Sequence, residues 1–325
     1  IIPVYNVADY IADCLHSVMR QTYTGEMECL LVDDCGNDHS IEVAQELISE
    51  YKGRIVFRIL QHERNRGLSA ARNTGIVAAT GYYVYFLDSD AYISDDCIAT
   101  LVAPLAEHDY DIVIGDFEVV GNDWGVPRLI AKEGAYTGNI LSMYCTKKIY
   151  MMAWNKLIKK SFVESNNLYF KEGMLHEDDH MSFRAFAAAE SIYVSSHKTY
   201  HYLMRENGIM SSCRYTIRNR DGYAETLLMI ADYMRHNKRV KYEVHECLNN
   251  RYLSKVAKIS DEQHISFYDI YKQLRERYSF PYKEQLRRDY FEKGRCIMRM
   301  HYLLGTSLGY LYFKLVRKCF GYQHI

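Results

Sequence analysis

The chain has 325 residues, 40 basic and 41 acidic, a formal net charge of −1 and 48% hydrophobic content. That length holds one large or two modest domains with a real core, and the composition is that of a globular protein. The charge balance excludes a nucleic-acid binder driven by bulk electrostatics, so no nucleic-acid partner is expected. Four prolines fit a helix-rich chain. Thirty tyrosines fit either surfaces that meet sugars and lipid headgroups or a plain composition bias. Nine cysteines form no C-x-x-C pair, and Cys14, Cys29 and Cys97 sit in apolar settings. Buried thiols in a reducing cytosol are expected, hence a cytoplasmic protein.

The chain opens on "IIPVYN", which reads as the second half of a strand, so a few residues of the natural start are expected to precede it. "IIPVY", "ECLLVDD", "RIVFRIL", "YYVYFLD" and "DIVIGDF" read as short buried strands. Between the first two, Val7, Tyr10, Ile11, Cys14, Leu15, Val18 and Met19 form one apolar helical stripe; Ile41, Ala44, Leu47, Ile48 and Tyr51 form a second. Strands apolar throughout and joined by helices predict an α/β fold with a mostly parallel, doubly wound, Rossmann-like sheet. Ligands bind such sheets beyond the strands' carboxyl ends, where Asp33, Asp34, Asp88 and Asp90 all fall.

Residues 121–170 are less regular, with Gly121, Gly125, Gly134 and Gly138 marking turns. A helix is predicted to begin near His176, because "HEDD" places three acids where a helix dipole welcomes negative charge. From about residue 215 the signals are helical. The segment 297–322 holds "YLLGTSLGYLYF" between basic residues, too short an uncharged run to span a bilayer. It fits a helix lying in an anionic membrane interface or one packed on the rest of the chain.

Two acids one residue apart at a strand end, Asp88 and Asp90 around Ser89, can share a hard divalent cation with diphosphate oxygens. Taken alone, the same residues also fit an acidic turn leading into the cap Ser94-Asp95-Asp96. The wider pattern bears on that choice. "IIPVYNVADYIADCLHSVMRQTY", "LLVDDCGNDHS", "NRGLSAARNTGIVAATGYYVYFLDSD" and "LHEDDHMSFRAF" occur in one order. Together they resemble the inverting family 2 glycosyltransferases of bacterial polysaccharide assembly, which have the GT-A fold. The resemblance covers roughly residues 1–210.

It implies a GT-A catalytic domain over 1–212, with a nucleotide-binding half 1–120 and an acceptor-side half 121–212. A helical region follows over 213–325. The implied reaction is inverting transfer of a sugar from a nucleotide donor, UDP-linked by expectation, to a saccharide or polyprenyl-diphosphate-linked saccharide. Such an acceptor suits a protein at the inner face of the cytoplasmic membrane, with 297–322 as its peripheral contact.

By the same resemblance, Pro3, Val4 and Tyr5 border the nucleobase, and Asp34 hydrogen-bonds it with Asp33 beside it. Asp34 also suits a cap for the helix near Ser40. Arg72 and Asn73 stand near the nucleotide or on a solvated helix face. Asp88 and Ser89 reach the ribose or a metal-bound water, and Asp90 ligates Mn²⁺ or Mg²⁺ with Asp88. Asp178 is the implied general base, the one an inverting displacement needs, and Glu177 orients it or the acceptor. Trp154, Asn155 and Lys156 line the acceptor side or the core. His201 is a metal ligand, a phosphate contact or structural, and Arg205 a phosphate contact.

The chain departs from the family pattern at Leu203 and Gly208, where Arg and Ser are usual, which weakens a lid over the diphosphate. Ala91 replaces a spare acid, and Cys35-Gly36 the usual Gly-Ser turn. A second reading is a nucleotide-sugar-binding scaffold without turnover; both acid pairs being present argues against it. A nucleotidyltransferase would want a glycine-rich basic loop near the first strand, and "IIPVYNVADY" has none.

Overall fold

The computed structural model describes residues 1–121, 125–204, 216–237, 240, 242–278 and 300–320. The chain divides into two compact units, Ile1–Ser211 and Ser212–Ile325.

The first unit begins as the sequence predicts. Strands β1 (Ile2–Val4), β2 (Glu28–Asp33) and β3 (Val56–Gln61) form a parallel sheet in the order β1-β2-β3. Their crossovers are α1 (Ile11–Met19) and α2 (Ser40–Glu50). Helix α1 starts later than its apolar stripe, because Val7–Tyr10 form a turn closed by the Tyr10 N–H on the Val7 carbonyl. β2 is buried at every residue after Glu28, as its unbroken apolar run requires. The register places Val4 opposite Asp33 and Asp33 opposite Gln61, which aligns three side-chain positions at the carboxyl edge.

Helix α3 (Leu68–Ala78) leads to a second sheet. β4 is only Tyr83–Tyr85, shorter than the apolar run predicts. The Ile1 nitrogen donates to the Tyr85 carbonyl at 2.9 Å, and the Leu87 N–H to the Ile1 carbonyl at 3.1 Å, which joins the two sheets. β5 (Tyr92–Ile93), α4 (Cys97–Val102), β6 (Ile112–Val120), β7 (Gly134–Thr137), α5 (Ile140–Cys145), β8 (Lys156–Lys159), α6 (Lys160–Ser165), α7 (Glu177–Ala188) and β9 (Ser191–Leu203) complete the unit. The second sheet runs β4-β8-β6-β9-β5, with β7 on β9. Among the described residues, β6 and β9 are the parallel pair there, and the other pairs are antiparallel. The mostly parallel pattern predicted from the sequence is carried by β1–β3 and by the pairing of β6 with β9. Behind β6 lies an aromatic core in which Trp154 stacks on Tyr200 at 4.3 Å and meets Phe117 edge-on at 4.8 Å.

The second unit is helical: α8 (Ile217–His236), α9 (Tyr242–Glu246), a π-helical turn over Cys247–Leu253, α10 (Ser254–Glu262), α11 (Tyr268–Arg277) and α12 (Thr306–Phe320). Leu227, Leu248, Tyr252, Phe267, Tyr271 and Phe313 are buried in it. No helix among the described residues is long and apolar enough to cross a membrane. The seven cysteines among the described residues are free thiols, and Cys14, Cys29 and Cys97 are buried.

Candidate active site

The carboxyl edge of the first sheet holds a cavity of about 180 Å³ lined by Val4, Tyr5, Asn6, Asp33, Asp38 and Gln61 among others. Pro3 is buried beneath it, and Tyr5 is 45% exposed at its mouth. The loops around it are cross-braced. Asn6, held at φ 52°, accepts from the Asn37 N–H at 2.8 Å, and the Asp38 carboxylate accepts from the Ala8 N–H at 2.8 Å.

Asp33 ends β2 and Asp34 follows it, and the two carboxylates have different partners. Asp33 borders the cavity: Oδ1 accepts from the Cys35 N–H at 3.0 Å and Oδ2 from Gln61 Nε2 at 3.2 Å. Asp34 does not border it. Its oxygens accept from the N–H groups of Arg66 and Gly67, both at 2.8 Å, at the start of α3. Oδ1 also pairs with His62 Nδ1 at 2.7 Å, whose Nε2 lies 2.9 Å from Thr74 Oγ1. Of the two acids predicted at the nucleobase, the structure thus brings Asp33 to the cavity and commits Asp34 to α3. Asn6, Asp38 and Gln61 escaped the sequence reading; for Gln61, a polar residue ending a strand in register with an acid was the available signal.

Deeper along the edge, three carboxylates meet one guanidinium. Arg72, 1% exposed, donates from Nη2 to Asp88 Oδ1 at 3.0 Å and from Nη1 to Glu177 Oε1 and Asp178 Oδ1, both at 2.9 Å. Its guanidinium carbon lies 5.1 Å from the Phe170 ring centre, and its buried Nε has no partner among the described residues. Asn73 turns to the same loop: Nδ2 donates to the Phe170 carbonyl and Oδ1 accepts from the Phe170 N–H, each at 2.8 Å. Neither residue stands on a solvated helix face.

Asp88 sits in a turn in which the Ala91 N–H reaches its carbonyl at 3.0 Å. Its own N–H donates to the Tyr200 hydroxyl at 3.3 Å, and Ser89 beside it is buried. Burial raises the Asp88 carboxyl to about 6 against the pull of Arg72, with the Asp90 and Asp178 charges adding to the rise. Burial also raises Glu177, to about 7, helped by Asp178 and opposed by Arg72. For Arg72 itself, Asp178, Asp88 and Glu177 outweigh burial and push its pKa up, so it stays charged. One cation among these acids leaves a local excess of negative charge, which favours a further cation.

The donor set fits a hard divalent ion. Asp88 and Asp90 stand two residues apart, and Oδ1 of Asp88 is committed to Arg72. Such a pair suits Mg²⁺ or Mn²⁺ completed by phosphate and water. His201 is placed otherwise: Nδ1 lies 2.7 Å from Glu118 Oε1, and its ring stacks on Tyr92 at 4.5 Å. Among the described residues, no cluster of three or more His, Cys, Asp or Glu is arranged to hold a metal, so His201 does not join the pair.

Glu177 and Asp178 open α7, where the helix dipole and first-turn N–H groups favour anions. His176 makes the turn into the helix in the left-handed region, at φ 63°, uncommon for a residue with a side chain. Asp179, next in line, is buried against the Tyr144 hydroxyl at 2.8 Å.

Trp154, Asn155 and Lys156 are all buried, so they do not present an open acceptor surface. Asn155 accepts from the Thr199 and Tyr85 hydroxyls at 2.9 and 3.0 Å. Lys156 donates to the Met152 carbonyl, with Nζ 3.9 Å from the Tyr150 ring centre. Burial drives its pKa well below the ordinary lysine value, opposed by Asp178. Arg205 lies outside the described residues, as does Gly208.

Comparison with known proteins fits this arrangement. The family model described as Glycosyl transferase family 2 matches residues 1–187. The poly(ribitol-phosphate) beta-N-acetylglucosaminyltransferase TarS of Staphylococcus aureus is 29% identical over 234 residues, covering 71% of this chain and 39% of that protein. The chain spans 31 to 39% of the length of the leading curated relatives. Crystal structures of TarS 1–349 align over 98% of this chain and 90% of theirs, with TM-scores of 0.75 in complex with UDP and 0.72 with UDP-GlcNAc, at 21 and 22% identity. A mannosyltransferase of Pyrobaculum calidifontis, in complex with GDP-Man and Mn²⁺, aligns over 98% of this chain and 86% of its own with a TM-score of 0.56 at 17% identity.

Proposed function

The chain belongs to glycosyl transferase family 2 and has the GT-A fold with a helical C-terminal region, and from that premise we propose that it is an inverting glycosyltransferase acting on a UDP-sugar. The observation that carries the reading is the placement of Asp88 and Asp178 on one guanidinium. It sets a donor-side acid beside a candidate base, as a single displacement needs.

The residues divide the work. Asp33 accepts the N3–H of uracil, and Tyr5 covers the base. Asp88 and Asp90 hold Mn²⁺ or Mg²⁺, which when bound supplies charge neutralisation for the departing diphosphate. Asp178 takes the proton of the acceptor hydroxyl as that oxygen bonds to the anomeric carbon, and UDP leaves from the opposite face with the electron pair of the broken C–O bond. Glu177 hydrogen-bonds the acceptor. Trp154, Asn155 and Lys156 support the site from behind by stacking and hydrogen bonding on Tyr200, Thr199 and Tyr150. That TarS is named for poly(ribitol phosphate) makes a polyol-phosphate chain the first acceptor to try, beside lipid-linked saccharides.

A peripheral membrane role suits α12. Leu308, Leu311 and Leu315 are exposed along it, and the exposed Lys314 and Lys318 flank them.

The test is UDP release from UDP-sugars in the presence of Mn²⁺ and these acceptors, with the sugar recovered intact on the product. Metal-dependent UDP binding without turnover across that panel would instead favour the scaffold reading.

A further inference from the structure

Arg72 has the residue type and motif of a phosphate contact, but its surroundings give it another task. Three carboxylates already share its guanidinium, from the turn after β4 and the first turn of α7. A cation so over-neutralised, 1% exposed and faced by Phe170, has little to offer a second anion.

Two neighbours on the same part of the chain act alike. Asn73 clamps the backbone of Phe170 in both directions, and Arg66 pairs with Glu172 at 3.1 Å. Residues 171–175 belong to no helix or strand, with Gly173 at φ 74° and His176 at φ 63°. The 66–73 segment thus fixes the stretch from Phe170 to Asp178 at three places, and Asp34 and His62 fix that segment in turn.

We infer that Arg72 is a positioning residue that holds Glu177 and Asp178 in register with Asp88, and that through this tie donor binding at Asp88 is felt by the acceptor-side loop 170–178. The inference rests on the proposed assignment of Asp88 to the donor and Asp178 to the acceptor. Binding at one end of a shared guanidinium must alter the other, and the coupling is reciprocal. Lysine keeps the charge but not the planar fork, so it cannot reach all three acids.

Hydrogen exchange of residues 170–178 is followed in the wild type and Arg72→Lys, each alone and with UDP plus Mn²⁺, with calorimetry of UDP on both. In the wild type, UDP and Mn²⁺ are expected to change exchange across 170–178, although UDP carries neither sugar nor acceptor. In Arg72→Lys, exchange there is expected to be faster without ligand and unresponsive to it, while UDP affinity stays within about threefold. With UDP-GlcNAc as turnover probe, kcat falls on the order of 100-fold with KM little changed.

An Arg72→Lys protein that loses UDP affinity far beyond threefold while its ligand-free exchange across 170–178 stays as in the wild type would make Arg72 a donor ligand and overturn the inference. So would wild-type exchange that ignores bound UDP, a measurement needing no variant. Absence of UDP binding to the wild type speaks against the proposed function alone. Exchange in ligand-free Arg72→Lys still decides the positioning role, and unchanged exchange there refutes it.

Discussion

Asp33 ends β2 and Asp34 follows it, yet one carboxylate borders the cavity at the sheet edge while the other accepts from the Arg66 and Gly67 N–H groups just before α3. The pair predicts a clean separation of effects. Asp33→Ala removes the acceptor for uracil and weakens UDP binding by about tenfold to a hundredfold, the worth of a charge-assisted hydrogen bond of ~1.5–3 kcal/mol. Asp34→Ala leaves the Arg66 and Gly67 N–H groups and the buried His62 without their acceptor. It should cost on the order of 2–4 kcal/mol of stability, read as a lowered Tm, with UDP affinity of the folded fraction largely kept. Equal loss of UDP affinity in both variants would contradict the division.

Asp178→Asn keeps an oxygen for Arg72 but cannot take a proton at neutral pH. Sugar transfer should fall by about 10²- to 10⁴-fold while UDP affinity is unchanged. Wild-type turnover in this variant would remove Asp178 as the base.

Glu177 predicts a pH dependence of stability. Its carboxyl ordinarily titrates near 4.5 and in the fold near 7, raised by burial and by Asp178. Between those values the folded chain binds more protons than the unfolded one, so this group's contribution to stability falls as pH rises through the window and stays lower above it. Glu177→Gln removes the titration. In metal-free buffer its Tm should rise relative to wild type from pH 5 to pH 8; a constant difference across that range would refute the shift.

The sequence made much of this site legible, and its limits were physical. The apolar runs and helical stripes carried β1–β3, α1 and α2, because each element's burial is written in its own residues. The acids of α7 marked that helix's start for the same reason. What Arg72 and Asn73 touch was not readable, since Asp178 and Phe170 come from the far half of the unit. Trp154, Asn155 and Lys156 carry polar and aromatic groups equally suited to a surface or a core, and only tertiary packing buried them. The sequence placed Asp34 on the nucleobase with Asp33 beside it, and the partners that separate them, Gln61 for Asp33 and His62, Arg66 and Gly67 for Asp34, come from later in the chain.

The leucines of α12 predict lipid contact. Leu311→Glu together with Leu315→Glu should abolish cosedimentation with vesicles containing anionic phospholipid, without lowering UDP affinity. Equal sedimentation of variant and wild type would leave these residues to another surface.

The most direct test of the donor site is a calorimetric titration of UDP, with and without Mn²⁺, on the wild type and on Asp90→Asn. The proposed function predicts binding to the wild type that depends on Mn²⁺ and is lost in Asp90→Asn. Binding that is indifferent to Mn²⁺, or unchanged by Asp90→Asn, would contradict a metal-held diphosphate at the end of β4.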